Sequence, residues 1–201
     1  FSERAGKLSY YSDRQAIGRP LVLLHSVNAA ASSYEMRPLF EHYRSARPVY
    51  ALDLPGYGFS ERSQRVYTPE MFENAVQDFL QQEVKEAADV ITLSLSSEFA
   101  ARAAVRQPEL FHTLAMISPT GVSAGKDSRS QQAGRSGAGG GLYSLFSFPL
   151  WGRPFFDLLS TQPSIRYFLS KSFTGPVPDA LAEYAYATSH QPGAENVPLY
   201  F

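Results

Sequence analysis

Short uninterrupted apolar runs alternate with longer amphipathic stretches over the first 120 residues, and that alternation sets the expected architecture. Pro20 to Leu24, Pro48 to Leu52, Asp89 to Leu93 and Thr113 to Ile117 are each too short for an ordinary helix. Their runs of Val, Leu and Ile predict strands buried on both faces, the signature of a parallel sheet. Between them the apolar positions recur at helical spacing. Ser32 or Ser33 can cap a helix running to about Tyr43. Thr68 precedes Pro69, a cap and first-turn pair, and Phe72, Val76, Phe79, Leu80 and Val84 follow on one face. An Ala-rich helix is expected from about Ser97 to Gln107, stopped by Pro108. Strands alternating with helices imply an α/β protein with a mostly parallel sheet and helices on both faces. Ligands of such sheets bind beyond the carboxyl ends of the strands, where the loops holding His25, Asp53 and Ser94 lie.

The pattern changes after Gly121. Residues 1–121 are expected to form the sheet-containing core, 122–141 a flexible Gly- and Ser-rich linker, and 142–201 a helical cap. The glycines from Gly134 to Gly141 lack the Gly-Lys-Ser/Thr ending and the preceding strand of a phosphate loop. In the last segment, helices are expected to start at Pro163 and Pro178, with Gly175 ending the first. Its many aromatic residues, Trp151 and Phe155 among them, suit either helix packing or an apolar pocket.

Composition narrows the partners. A net charge of −1 with scattered Lys and Arg provides no basic stripe, so nucleic acid is not an expected partner. The chain has no cysteine, which excludes disulfides and thiolate chemistry and fits a cytoplasmic location. No apolar run approaches the roughly 20 residues of a membrane-spanning helix. Neither a cofactor nor a metal ion is called for, which leaves a small-molecule substrate.

Candidate chemistry centres on Thr92-Leu93-Ser94-Leu95-Ser96, a strand-to-helix junction with a serine at its tip. A nucleophile elbow needs small residues two before and two after the serine, and Thr92 and Ser96 stand there in place of the usual glycines. Ser96 is the alternative nucleophile, although Glu98 would be a bulky flank for it. Both serines could instead simply cap the following helix.

The chain resembles the α/β-hydrolase family over roughly residues 8–121. The strongest block is Val49 to Ser60, similar to the family's strand and Asp-x-x-Gly-x-Gly-x-Ser turn, in which Asp53 would fix the turn. Pro20 to Val27 resembles the family's preceding strand and His-Gly-x loop, with Ser26 replacing the glycine. By this resemblance the backbone N–H groups of Val27 and Leu95 would form the oxyanion hole, and His25 would shape that loop. His25, Asn28, Trp151, Phe155 and His190 are the expected substrate contacts. The resemblance implies a capped serine hydrolase acting on an ester or similar acyl bond of a small apolar substrate. The alternative is a non-catalytic binding protein on the same fold. In this family the acid and histidine follow the serine, yet only His112 and His190 do so here and neither is well placed. Both partners are therefore expected beyond Phe201.

Overall fold

The computed structural model describes residues 1–120 and 152–200, except for the side chains of residues 152, 153, 199 and 200. The expected linker at 122–141, the Gly134 to Gly141 tract and Trp151 lie outside the described residues. Five strands make one sheet in the order β1-β3-β2-β4-β5: β1 Ser9–Asp13, β2 Leu21–Leu24, β3 Val49–Asp53, β4 Ala88–Leu93 and β5 Phe111–Ile117. All neighbours pair in parallel except β1, which runs antiparallel to β3. Helices α1 (Arg37–Tyr43), α2 (Pro69–Phe79) and α3 (Ser96–Arg106) cover the sheet, and α4 (Gly152–Leu159), α5 (Gln162–Ser170), α6 (Asp179–Ser189) and α7 (Asn196–Tyr200) follow.

The central strands are apolar throughout because both of their faces are covered. Leu21, Leu23, Val49 and Ala51 pack with Met36 beside α1. Val22, Leu24, Tyr50 and Leu52 face the opposite cluster, with Phe72, Val76 and Phe79 of α2 and Phe99 of α3. Full burial of each large side chain is worth about 1.5–3 kcal/mol relative to exposure, so this two-sided core dominates stability. Phe72 and Phe99 stack with centroids 4.7 Å apart, locking α2 to α3. The Thr68 hydroxyl accepts the Met71 N–H at 3.2 Å, as expected of a cap before Pro69.

Some elements differ from expectation. β1 was not anticipated, because Ser-Tyr-Tyr-Ser-Asp is a polar edge strand with no buried face to create an apolar run. The helix expected from Ser32 begins as a 3₁₀ turn over Ser33–Met36, and no side-chain cap bonds it. Helix α2 passes into a π turn over Leu80–Val84 and ends at Lys85, which is left-handed at φ 66°. β5 is an edge strand rather than a buried one, with Met116 and Ile117 exposed. Helix α5 ends at Ser170, short of Gly175.

Strand register places the candidate loops side by side. Leu24 is level with Leu52 on one side and with Thr92 on the other, so the chain leaves β2, β3 and β4 at a common rim. The last helices are tied to the same rim. Val197 of α7 is fully buried in the α2–α3 cluster, and its methyl packs so closely on Gly56 that a Cβ there would lie 1.9 Å from it. The Asn196 amide donates to the Arg62 carbonyl at 2.8 Å, and Arg62 in turn donates to the Thr188 carbonyl at 3.1 Å.

Candidate active site

Asp53 organises the rim. It is fully buried, its Oδ1 accepting the Ser33 N–H at 2.8 Å and its Oδ2 the Phe59 N–H at 3.0 Å. Its own carbonyl accepts the Ser60 hydroxyl at 2.6 Å. The turn can close over the carboxylate because Gly58, at φ 53°, has no Cβ; one would lie 1.9 Å from the Asp53 carboxyl carbon.

At the β4–α3 junction Ser94 holds φ 61°, a left-handed conformation that a non-glycine residue adopts only under constraint. The constraint is visible. The Ser94 N–H donates to the Ile117 carbonyl at 2.9 Å, and the Ser94 carbonyl accepts the N–H groups of Ser97 at 3.2 Å and Thr120 at 3.4 Å. The Ser94 side chain is partly exposed, and its hydroxyl has no hydrogen-bond partner among the described residues.

Ser96 differs: it is fully buried, its hydroxyl accepting the Leu93 N–H at 3.2 Å and lying 2.9 Å from the Leu93 carbonyl. Thr92 bonds the Ser97 hydroxyl at 2.8 Å. The two residues that replace glycines thus brace the junction with bonds glycine cannot make.

The backbone N–H groups of Val27 and Leu95 are without acceptors among the described residues, as are those of Asn28 and Ala29 in the same loop as Val27. The Val27 and Leu95 side chains pack against the α2–α3 cluster. The Ser26 carbonyl, in the same rigid peptide as the Val27 N–H, lies 2.6 Å from His25 Nδ1. Since His25 Nε2 accepts the Leu54 N–H at 3.0 Å, the ring proton sits on Nδ1 and donates to Ser26. His25 is fully buried, with Tyr57 edge-on at 5.4 Å. Both nitrogens serve the backbone, so the ring shapes the loop. Burial, and secondarily the Glu35 carboxylate, push the Tyr57 phenol well above its usual range, so it stays protonated.

A cavity of about 360 Å³ opens between the loop after β2 and the later helices. Asn28 and Glu35 line its polar side, and Leu159, Ile165, Phe168 and Leu181 its apolar side. Asn28, an expected substrate contact, lies at this cavity. Phe155 and His190 do not line it; His190 packs on Tyr186 at 4.0 Å and shares Nδ1 with the Tyr186 carbonyl at 2.8 Å. The apolar wall comes instead from the 165–168–169 and 181–185 helical spacings, a periodicity that could have singled them out. Ser94 does not line this cavity, whose core-side wall is Asn28, Ala29, Ala30 and Glu35.

None of the four histidines makes a hydrogen bond to Ser94. His42 packs edge-on to Tyr43, and His112 bonds Asp89 at 2.8 Å at the amino end of β4. Among the described residues no cluster of three or more His, Cys, Asp or Glu side chains is arranged to hold a metal. No helix there is long and apolar enough to cross a membrane.

Comparison with known proteins places this geometry. Residues 21–201 match the Alpha/beta hydrolase family. An uncharacterized hydrolase of Bacillus subtilis (strain 168), YugF, is 30% identical over 114 residues, 56% of this chain and 41% of YugF. Among solved structures, Cfl2 from Burkholderia cenocepacia superposes with a TM-score of 0.73 at 16% identity, covering 96% of this chain and 66% of Cfl2. CarC, a serine hydrolase involved in carbazole degradation, superposes with a TM-score of 0.69 at 16% identity, covering 98% of this chain and 67% of CarC. At such identities the likeness shows the fold. The chain therefore spans less than half the length of YugF and about two thirds of the length of these structural relatives.

Proposed function

The chain is a member of the alpha/beta hydrolase family, and from that premise we propose that it is a serine hydrolase that cleaves an ester or similar acyl bond of a small apolar molecule. The observation that carries the reading is Ser94, held in a left-handed turn with an uncommitted hydroxyl. Ser94 Oγ attacks the carbonyl carbon, and its proton passes to a histidine oriented by an acid. The oxyanion is held by the Val27 and Leu95 N–H groups, which have no other acceptor among the described residues. The alcohol leaves with the proton, and water then releases the acyl group from Ser94. Helices α4–α7 form the cap over the core, and their Leu159, Ile165, Phe168 and Leu181 favour an apolar acyl group. CarC, a serine hydrolase of the same fold, supports the choice of reaction class. The absence of cysteine is the ground for placing the reaction in the cytoplasm.

Labelling the intact protein with a fluorophosphonate tests this reading. Ser94→Ala is expected to abolish labelling, whereas Ser96→Ala, which alters a buried brace, leaves it. The lack of any histidine bonded to Ser94 favours a second reading, a ligand-binding protein on this fold. Intact wild-type protein that resists labelling yet binds apolar esters would establish that reading instead.

A further inference from the structure

The loop that carries Val27 is held by a side chain the proposed reaction does not use. Glu35 sits in the 3₁₀ turn before α1 and directs both carboxylate oxygens back at the loop. Oε2 accepts the Ser26 N–H at 2.9 Å, and Oε1 accepts the Asn28 amide at 3.2 Å. That amide also donates to the Ser26 hydroxyl at 2.8 Å, and Asn28 Oδ1 accepts the Ala30 N–H at 2.9 Å. The bonds close a ring through Glu35, Ser26 and Asn28. Ser26, standing where the resemblance expects glycine, supplies a hydroxyl to that ring.

Every polar group of Ser26 is thereby committed: N–H to Glu35, hydroxyl to Asn28 and carbonyl to His25. The Val27 N–H belongs to the same peptide as that carbonyl, so its direction is fixed by the residues that grip Ser26. His25 holds the Ser26–Val27 peptide itself, and Glu35 holds the N–H of the peptide before it. Glu35 has no ion pair with Lys, Arg or His among the described residues. Its charge is spent on these two donors, and bonds to an ionised acceptor are the stronger kind. Resting on the serine-hydrolase reading, the geometry points to Glu35 as the positioning residue of the oxyanion loop, holding Ser26 so that the Val27 N–H faces the reacting carbonyl.

Because Glu35 also lines the cavity, a direct substrate contact must be told apart from positioning. A contact acts on KM, whereas misplacement of an oxyanion donor acts on kcat. The test uses intact protein, with a fluorophosphonate as covalent probe and p-nitrophenyl butyrate as substrate. For Glu35→Ala, phosphonylation of Ser94 and kcat are both expected to fall about 10- to 100-fold, as for a donor displaced by up to about 1 Å and less than the roughly 100- to 1,000-fold of a donor removed outright, with KM within about threefold. Glu35→Gln keeps an acceptor oxygen and is expected to recover most of the lost kcat.

Wild-type kcat in Glu35→Ala would overturn the proposal, as would a rise in KM alone or a Glu35→Gln variant as slow as Glu35→Ala. Should Glu35→Ala not fold, Asn28→Ala removes the Oε1 strut together with the Asn28 bonds to Ser26 and Ala30 while leaving the Glu35–Ser26 bond: a fall in kcat at unchanged KM supports the proposal, and an unchanged kcat overturns it. Failure of the wild type to label, or labelling that survives Ser94→Ala, would instead overturn the hydrolase reading beneath it.

Discussion

Replacing Asp53 separates its two hydrogen bonds from its charge. Its two oxygens hold two different loops, through the Ser33 N–H at 2.8 Å and the Phe59 N–H at 3.0 Å, and the side chain is fully buried. Hydrogen bonds to a charged group contribute about 1.5–3 kcal/mol each, so Asp53→Ala, which strands both donors, is expected to cost about 3–6 kcal/mol. Against a total stability of about 5–15 kcal/mol that is a large fraction. Asp53→Asn keeps the shape but has a single acceptor oxygen, so it strands one donor and is expected to cost about half as much. Loss of a buried charge without a counter-ion offsets part of that cost. Urea unfolding followed by far-UV circular dichroism measures both, provided the three proteins share a common slope against denaturant. A loss below about 1 kcal/mol for Asp53→Ala would refute the account, since each bond alone is worth more than that. So would an Asp53→Asn variant as unstable as Asp53→Ala.

Three further outcomes are expected. Left-handed backbone costs a non-glycine residue about 1–2 kcal/mol, so Ser94→Gly should be more stable than Ser94→Ala by about 0.5–1 kcal/mol once glycine's extra unfolded-state freedom is subtracted, as thermal unfolding can measure. Gly58→Ala drives a Cβ to 1.9 Å from the Asp53 carboxyl carbon, and should destabilise by more than about 2 kcal/mol. In a double-mutant cycle with Asp53→Ala its cost should be less than additive, because the clashing group is gone. Asp89 is partly buried, which alone would raise its pKa, but bonds from Arg47, Thr113 and His112 override this and hold it at about 2, below its ordinary 3.8. A depressed carboxylate stabilises above its unfolded pKa and loses that contribution as pH falls through the folded one. The stability advantage of wild type over Asp89→Asn, followed by unfolding at successive pH values, should therefore be constant above about pH 5 and vanish towards pH 2.

Legibility from sequence tracked how strongly each segment is buried. The strands Leu21–Leu24 and Val49–Asp53 were read closely because burial on two faces demands an uninterrupted apolar run. The α2 helix was equally plain, since Thr68, Pro69 and one apolar face all point the same way. Ser9–Asp13 escaped because an edge strand with one exposed side carries no such run. The Ser94 junction was legible from the small residues around it, but the bracing by Thr92 and Ser96 was not, since it depends on which hydroxyl meets which backbone group in space. The two backbone partners of His25 were illegible for a similar reason: that Leu54 and Ser26 meet its two nitrogens depends on the fold. Glu35 carried no signal at all, because its partners lie nine and seven positions upstream in a loop with no periodicity. In the last segment the spacing located helices but could not say which aromatic faced inward, and Phe168 rather than Phe155 lines the cavity.

The peg formed by Val197 against Gly56 limits how freely the later helices can be exchanged for those of a relative. A helical layer joined to the sheet only at its entry could be grafted as an independent module. Here its far end is plugged into the interior beside Phe72, so a chimera inherits a working interior only if donor and recipient agree on one small residue and one branched one, on parts of the chain far apart in sequence.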